Sequence, residues 1–256
     1  MRGLNQEKEH MISIICPFTD ERMRQEMLEA SLAKQTFRNY EAVFLSNHDL
    51  GMDRASDVLN YGVKKAVGDI LLFAHQDVIL EDERILEKIV YYCDNYEFGI
   101  GAPAGVRKSD RKVYATVIHG PEKILAGESF SEPMEADACD ECFFFIKRKD
   151  FIGFEDLGAT WHFYAVDYSI RCLLGDQKVF LFPLQVYHLS PGWSLDRTYW
   201  QVLKKLCQKY RGQIKAISTT IGIFDINLLL PLRIIKRKLV RKLETRTHGD
   251  SRENAN

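Results

Sequence analysis

Three apolar runs separated by stretches of helical spacing constrain this chain more than any other feature. Ile12 to Cys16 is β-branched and ends at Pro17, Tyr40 to Leu45 repeats the strand signal, and Ile70 to Ala74 is apolar without a break. Between them, Glu21 to Lys34 places Met23, Met27, Leu28 and Leu32 on one side of a helix. Ala55 to Ala66 does the same with Val58, Leu59, Gly62, Val63 and Ala66 before Gly68 stops it, and Ile85 to Tyr96 closes a third unit ahead of a strand at Phe98 to Ala102. A strand with no polar alternation is buried on both faces, so the repeat predicts an α/β fold with an open, mostly parallel sheet flanked by helices on right-handed crossovers. Such sheets bind ligands beyond the carboxyl ends of their strands. The loops that matter are therefore Pro17 to Glu21, Ser46 to Asp53 and His75 to Val78.

From about Arg107 the pattern changes. Strands are expected at Val113 to Val117, Cys142 to Ile146, Val179 to Phe182 and Gln185 to Leu189, with helices at Tyr164 to Leu174 and Leu195 to Arg211. With 256 residues, 46% of them hydrophobic, the chain can bury one large core. The 35 basic and 36 acidic residues leave a net charge of −1, which offers no field for nucleic acid, and none is expected as a partner. The six cysteines sit mostly in apolar stretches and the start of the chain is polar, so free thiols and a cytoplasmic setting are expected. Cys139 and Cys142 form a C-x-x-C pair, but no second pair or histidine at zinc spacing accompanies it. No apolar run approaches the roughly 20 residues that span a bilayer.

The sharpest local signal is the end of the third run, where Leu71-Leu72-Phe73-Ala74 gives way to His75-Gln76-Asp77. Imidazole and carboxylate there suit Mn²⁺, and a carboxylate suits Mg²⁺, so His75 and Asp77 can anchor a metal that bridges a diphosphate. The plainer alternative makes Asp77 a cap of the next segment and His75 a core histidine. Thr19, Asp20 and Glu21 in the first loop, with Ser46, Asn47 and Asp49 in the second, are short polar groups able to bond a base and ribose. Neither the Gly-x-Gly-x-x-Gly turn nor the P-loop is present, leaving a nucleotide site built on side chains and metal.

These blocks resemble the GT-A-fold glycosyltransferases of family 2, in a bacterial glycosyltransferase-like branch. Ser13 to Glu21 is similar to the family's opening strand and base-binding loop, and Leu59 to Asp77 to its helix, glycine, strand and D-x-D block. Trp161 to Arg171, with Tyr187-His188-Leu189-Ser190, is similar to its acceptor-side helix and closing histidine strand. The resemblance implies a GT-A domain over residues 11–212, with a nucleotide-binding half at 11–105 and an acceptor-binding half at 106–212. It further implies a nucleotide-sugar donor, UDP-linked by preference, a Mn²⁺ or Mg²⁺ cofactor, a glycan or lipid-linked acceptor, and transfer with inversion. Pro17, Thr19, Glu21, Asn47, Lys65, Gln76 and Asp77 would then touch the donor, Asp77, His188 and His75 the metal, and Trp161, His162 and Tyr164 the acceptor. Trp193 is a further candidate for stacking on a sugar face.

Two departures stand out. His75 occupies the position of the first D-x-D acid, and the family's Glu-Asp pair falls at Tyr164 and Ala165. That leaves Asp167 as first choice for the general base, with pairing to Arg171 four positions on as its alternative, and Asp140 in reserve. A non-catalytic nucleotide-sugar-binding relative or scaffold, and a nucleotidyltransferase, are the competing functions. Residues 213–246 read as a helical extension whose part from Pro231 is basic and amphipathic, suited to an anionic membrane face or to packing on the domain or on a second copy in a homodimer. Residues 247–256 are expected to be disordered.

Overall fold

The computed structural model describes residues 10–190, 197–227, 229–238 and 240. Trp193, residues 241–246 of the basic extension and the 247–256 tail lie outside them. The strands of the first half are β1 (Ile12–Phe18), β2 (Tyr40–Ser46), β3 (Ile70–Ala74), β4 (Val78–Leu80), β5 (Ile100–Ala102), β6 (Ala104–Arg107), β7 (Lys112–Ala115) and β8 (Val117–His119). They continue with β9 (Ile124–Leu125), β10 (Met134–Ala136), β11 (Ala138–Cys139), β12 (Phe143–Lys147), β13 (Val179–Leu181), β14 (Val186–His188), β15 (Ala216–Thr219) and β16 (Gly222–Asp225). The first helical segment runs as α1 (Glu21–Arg24), a π turn at Gln25–Glu29 and α2 (Ala30–Leu32). Then come α3 (Asn47–Leu50), α4 (Ala55–Lys65), α5 (Ile85–Asn95), α6 (Tyr164–Leu174) and α7 (Arg197–Lys209).

The main sheet has seven strands in the order β10-β13-β5-β12-β3-β1-β2. Strands β1, β2, β3, β5 and β13 point one way, while β12 and β10 oppose them. The parallel-rich α/β architecture expected from the alternation is thus present, with β12 as an antiparallel insertion between β3 and β5. Its Phe143-Phe144-Phe145 run explains the place it takes. Phe143 and Phe145 enter the cluster under α5, whereas Phe144 and Ile146 enter the one under α4 and α6. β3 splits likewise, with Ile70, Leu72 and Ala74 on one face and Leu71 and Phe73 on the other. Phe73 stacks on Phe144 at 4.8 Å between ring centroids. A fully apolar strand is stable only when both faces are covered, and the helices cover both.

Close approach of α4 needs Gly62. A Cβ there would meet Ile15 Cγ2 at 2.6 Å and Leu45 Cδ1 at 2.9 Å. Residues 213–246, expected to be a helical extension, instead open with the antiparallel hairpin β15–β16, and helix begins only at residue 230, because Ile217 and Phe224 of the hairpin pack into the core around α7. Other expected boundaries shift as well. The run Val113 to Val117 breaks at Thr116, whose N–H and hydroxyl bond Pro103 C=O and Leu184 C=O, so β7 and β8 join different sheets. The second loop contains the short α3, capped by the Ser46 hydroxyl, which accepts from Asp49 N–H. All six cysteines are buried free thiols.

Candidate metal and nucleotide site

A second sheet, β4-β14-β8-β9, begins where β3 ends. His75 N–H still bonds Cys142 C=O beside the antiparallel β12; two residues later the chain turns into β4, which pairs with β14 so that Val78 faces His188. β14 also runs parallel to β8 with His188 opposite His119. Two strand junctions and one register therefore bring His75, Asp77, His119 and His188 together from three separated stretches of sequence.

His75, Asp77 and His188 each offer one ligand atom, all within 4.8 Å of one another. His188 Nε2 stands 3.2 Å from Asp77 Oδ1 and 3.4 Å from His75 Nδ1. Each member has a partner behind it. The Tyr164 hydroxyl donates to Glu141 C=O at 3.2 Å, so its 2.9 Å contact with His75 Nε2 must be one in which the ring N–H donates. That tautomer leaves the His75 Nδ1 lone pair facing His188 and Asp77. His119 Nδ1 lies 3.1 Å from His188 Nδ1, and Ser190 N–H donates to Asp77 Oδ2 at 3.0 Å. Such supporting contacts fix ligand orientation and tautomer in metal sites.

The charges suit a cation. Burial pushes the Asp77 carboxyl up, but the hydrogen bond and charge of His188, with that of His75, outweigh it and bring it down to about 2. Burial, aided by His188, holds His75 down to about 4, against the opposite pull of Asp77 and Asp140. His119 is lowered as well, chiefly by burial. At neutral pH the site thus presents the ionised Asp77 carboxylate beside the neutral His75 imidazole, whose Nδ1 lone pair faces it. One hard and two borderline donors are a fitting set for Mn²⁺, and the carboxylate alone for Mg²⁺.

The first loop is tied to this edge by Gln76, whose side-chain oxygen accepts from Thr19 N–H at 2.8 Å and Asp20 N–H at 3.0 Å. Asp20 in turn caps α1 by accepting from Met23 N–H. Gln76 is therefore a brace between loops. Pro17 is half-buried within β1, which runs on past it to Phe18, and Glu21 is exposed with Gln25 donating to it. Asn47 heads α3, its Oδ1 buried without a hydrogen-bond partner among the described residues.

Three expected roles change, those of Lys65, Tyr164 and Asp167. Lys65 is exposed at the end of α4, which returns to the start of β3; the adjoining Val67 and Gly68 N–H groups bond Glu41 and Ser13 near the starts of β2 and β1. It stands at the edge of the sheet away from the histidines. Tyr164 is 5% exposed, its ring packed near Phe144 and Phe154, so it holds His75 instead of stacking on an acceptor. Asp167 is 1% exposed and accepts from Arg171 Nε at 3.0 Å, Lys209 Nζ at 2.7 Å and the Tyr210 hydroxyl at 2.7 Å. Its oxygens are committed to tying α6 to α7, which is the pairing alternative extended. His162 sets its ring edge-on to Tyr199 at 5.4 Å, and Trp161 packs half-buried against the core under α4.

Asp140, by contrast, faces the cluster. Burial raises its carboxyl, but His119, the Cys142 amide and His188 lower it overall, and its Oδ2 accepts from the Thr220 hydroxyl at 3.0 Å. Beside it Glu141 is pushed well above the carboxylate range by burial and by Asp140, and its Oε1 is buried without a partner among the described residues. His119 and Thr220 had no signature in the sequence. Only pairing between distant strands brings them here.

No protein-family model and no curated protein sequence matches the chain. Among solved structures it is similar to S. aureus TarS 1–349, with a TM-score of 0.52 and 14% identity over 79% of this chain and 66% of that one. The complex of TarS 1–349 with UDP-GlcNAc superposes at 0.56, again at 14% identity, over 79% and 67%. Against whole TarS the TM-score is 0.53 at 13% identity, and the chain spans 40% of its length. At these identities the likeness establishes a shared fold.

Proposed function

We propose that the chain is a metal-assisted, inverting glycosyltransferase that moves a sugar from a UDP-linked donor to a hydroxyl of a glycan or lipid-linked acceptor. One observation carries the reading: Asp77, His188 and His75 converge within 4.8 Å, braced from behind, at a strand end of a fold shared with TarS, which has been solved with UDP and with UDP-GlcNAc. When bound, Mn²⁺ or Mg²⁺ would supply positive charge to the departing diphosphate. Asp77, His188 and His75 would hold that ion in place, and Asn47, heading α3 in the second loop, is the candidate to bond the base.

Asp140 is the general base in this reading. It is ionised at neutral pH, faces the histidine cluster, and keeps its place through Cys142 N–H and Thr220. The acceptor O–H gives its proton to Asp140 as the new C–O bond forms at the anomeric carbon and the old bond's electron pair leaves on the diphosphate. Asp140→Asn should lower UDP release from UDP-sugar and acceptor by about a hundredfold or more while UDP still binds. Full turnover in that variant would remove Asp140 from the chemistry.

A second reading has a specific observation behind it. The start of α6, where the resembled family carries Glu-Asp, holds the buried Tyr164 and Ala165. A nucleotide-sugar-binding protein without turnover would bind UDP-sugar and release no UDP with any acceptor.

A further inference from the structure

The two sides of the last described helix meet different surroundings. Residues 230–238 are helical. On one side Ile234 is 3% exposed within the core cluster around α7, and Leu230 packs partly against the same cluster. Arg233 pairs with Asp225 of β16, and Lys238 Nζ lies 5.3 Å above the Trp200 ring. That side is fastened to the domain. On the other, Leu229, Leu232 and Ile235 are 54%, 63% and 54% exposed at three-residue spacing, with the exposed Lys236 next to them. Large aliphatic side chains this open on one stripe of a helix carry an unfavourable contact with water that a partner would relieve.

Charge narrows the partner. Residues 229–246 contain seven basic side chains (Arg233, Lys236, Arg237, Lys238, Arg241, Lys242 and Arg246) against the single acid Glu244, a local charge of +6. The whole chain carries −1, so the remaining residues carry −7. A second copy would set this basic segment against itself. Nucleic acid would satisfy the cations and leave the aliphatic side chains in water. An anionic lipid surface satisfies both, with phosphates for the cations and the headgroup–acyl boundary for Leu229, Leu232 and Ile235.

We propose that this helix docks the protein on the surface of an anionic bilayer. It lies on the surface and does not cross it, for no helix among the described residues is long and apolar enough to span a membrane. The helix also has a short polar connection to the site. Arg233 grips Asp225 of β16, and Thr220, in the turn between β15 and β16, donates to Asp140. If the transferase reading holds, docking sets that site beside acceptors carried by lipid.

Co-sedimentation of the full chain with vesicles tests the proposal independently of donor binding. The protein should pellet with phosphatidylcholine vesicles containing phosphatidylglycerol and stay in solution with phosphatidylcholine alone. Each cation near the surface adds about fivefold to affinity at low salt, so high salt should release most of the bound protein. Leu232→Glu with Ile235→Glu should cut the bound fraction about tenfold. Both positions are exposed, so an unchanged urea unfolding midpoint reports an intact domain. The proposal is overturned if wild-type protein ignores phosphatidylglycerol, if the double variant pellets as the wild type does, or if the double substitution halves the mass in light scattering, which would make a second copy the occupant.

Discussion

Replacing Asp167 by Asn separates two roles that predict opposite behaviour. The carboxylate is 1% exposed and receives three donors: Arg171 Nε at 3.0 Å, Lys209 Nζ at 2.7 Å and the Tyr210 hydroxyl at 2.7 Å. The amide keeps one acceptor oxygen and turns an NH₂ toward cations, so at least one charge-assisted bond is lost and a like-signed contact is created. Removing one partner of a buried ion pair costs about 3–5 kcal/mol. Lys209, the more open of the two cations, also reaches Glu155 Oε2 at 2.7 Å and keeps part of its compensation, which puts the expected loss at the low end, about 3 kcal/mol. With a urea slope near 3 kcal/mol per molar, as suits a chain of this size, the unfolding midpoint should fall by about 1 M at unchanged slope. Donor turnover per folded molecule should stay within about tenfold of wild type, since the structure gives Asp167 no part in the chemistry. A midpoint within about 0.2 M of wild type, together with abolished turnover, would refute this reasoning and return the base to Asp167.

Acid should destabilise the protein in two steps. His75 is held at about 4 against an ordinary 6.5, so its contribution is complete above pH 6.5 and is lost as pH falls toward 4, by about 3 kcal/mol. Asp77, at about 2 against 3.8, adds about 2 kcal/mol of loss below pH 4. Urea melts between pH 7.5 and 4.5 should show the first step, and His75→Asn should flatten it; an identical slope in that variant would contradict the assignment. Tyr164→Phe removes the group that holds His75 in its Nε2–H form and should weaken Mn²⁺ binding about tenfold to a hundredfold by calorimetry. A dissociation constant within about twofold of wild type would show that the tautomer is not set there.

Much of the fold was legible because its central strands are buried on both faces. Ile70 to Ala74 announces a strand under two layers of helices, and α4, α5 and α6 follow from the spacing of their apolar residues. The direction of β12 was not legible. Three consecutive phenylalanines require both faces to be covered and say nothing of parallel or antiparallel entry. The cluster of candidate ligands was partly legible, since His75 and Asp77 follow the end of a buried strand and His188 ends another. His119 was not, because it arrives through the register of β14 on β8. Asp167 misled because a helix periodicity cannot tell that its face meets Lys209 and Tyr210 of another segment. The position of Lys65 was implied by the alternation itself, for a crossover helix ends at the amino edge of the next strand, opposite the ligand edge.

The central claim is that Asp77, with His188 and His75, holds a divalent cation against the phosphates of a UDP-linked donor. Thermal melting with UDP at about a hundred times its dissociation constant should gain about 2.7 kcal/mol, a shift on the order of 5–10 °C for a chain of this length. That shift should be large with Mn²⁺ and small with a chelator, and Asp77→Ala and His188→Ala should each erase the Mn²⁺-dependent part. Equal shifts with chelator and with Mn²⁺, or an undiminished Mn²⁺ effect in Asp77→Ala, would contradict the claim.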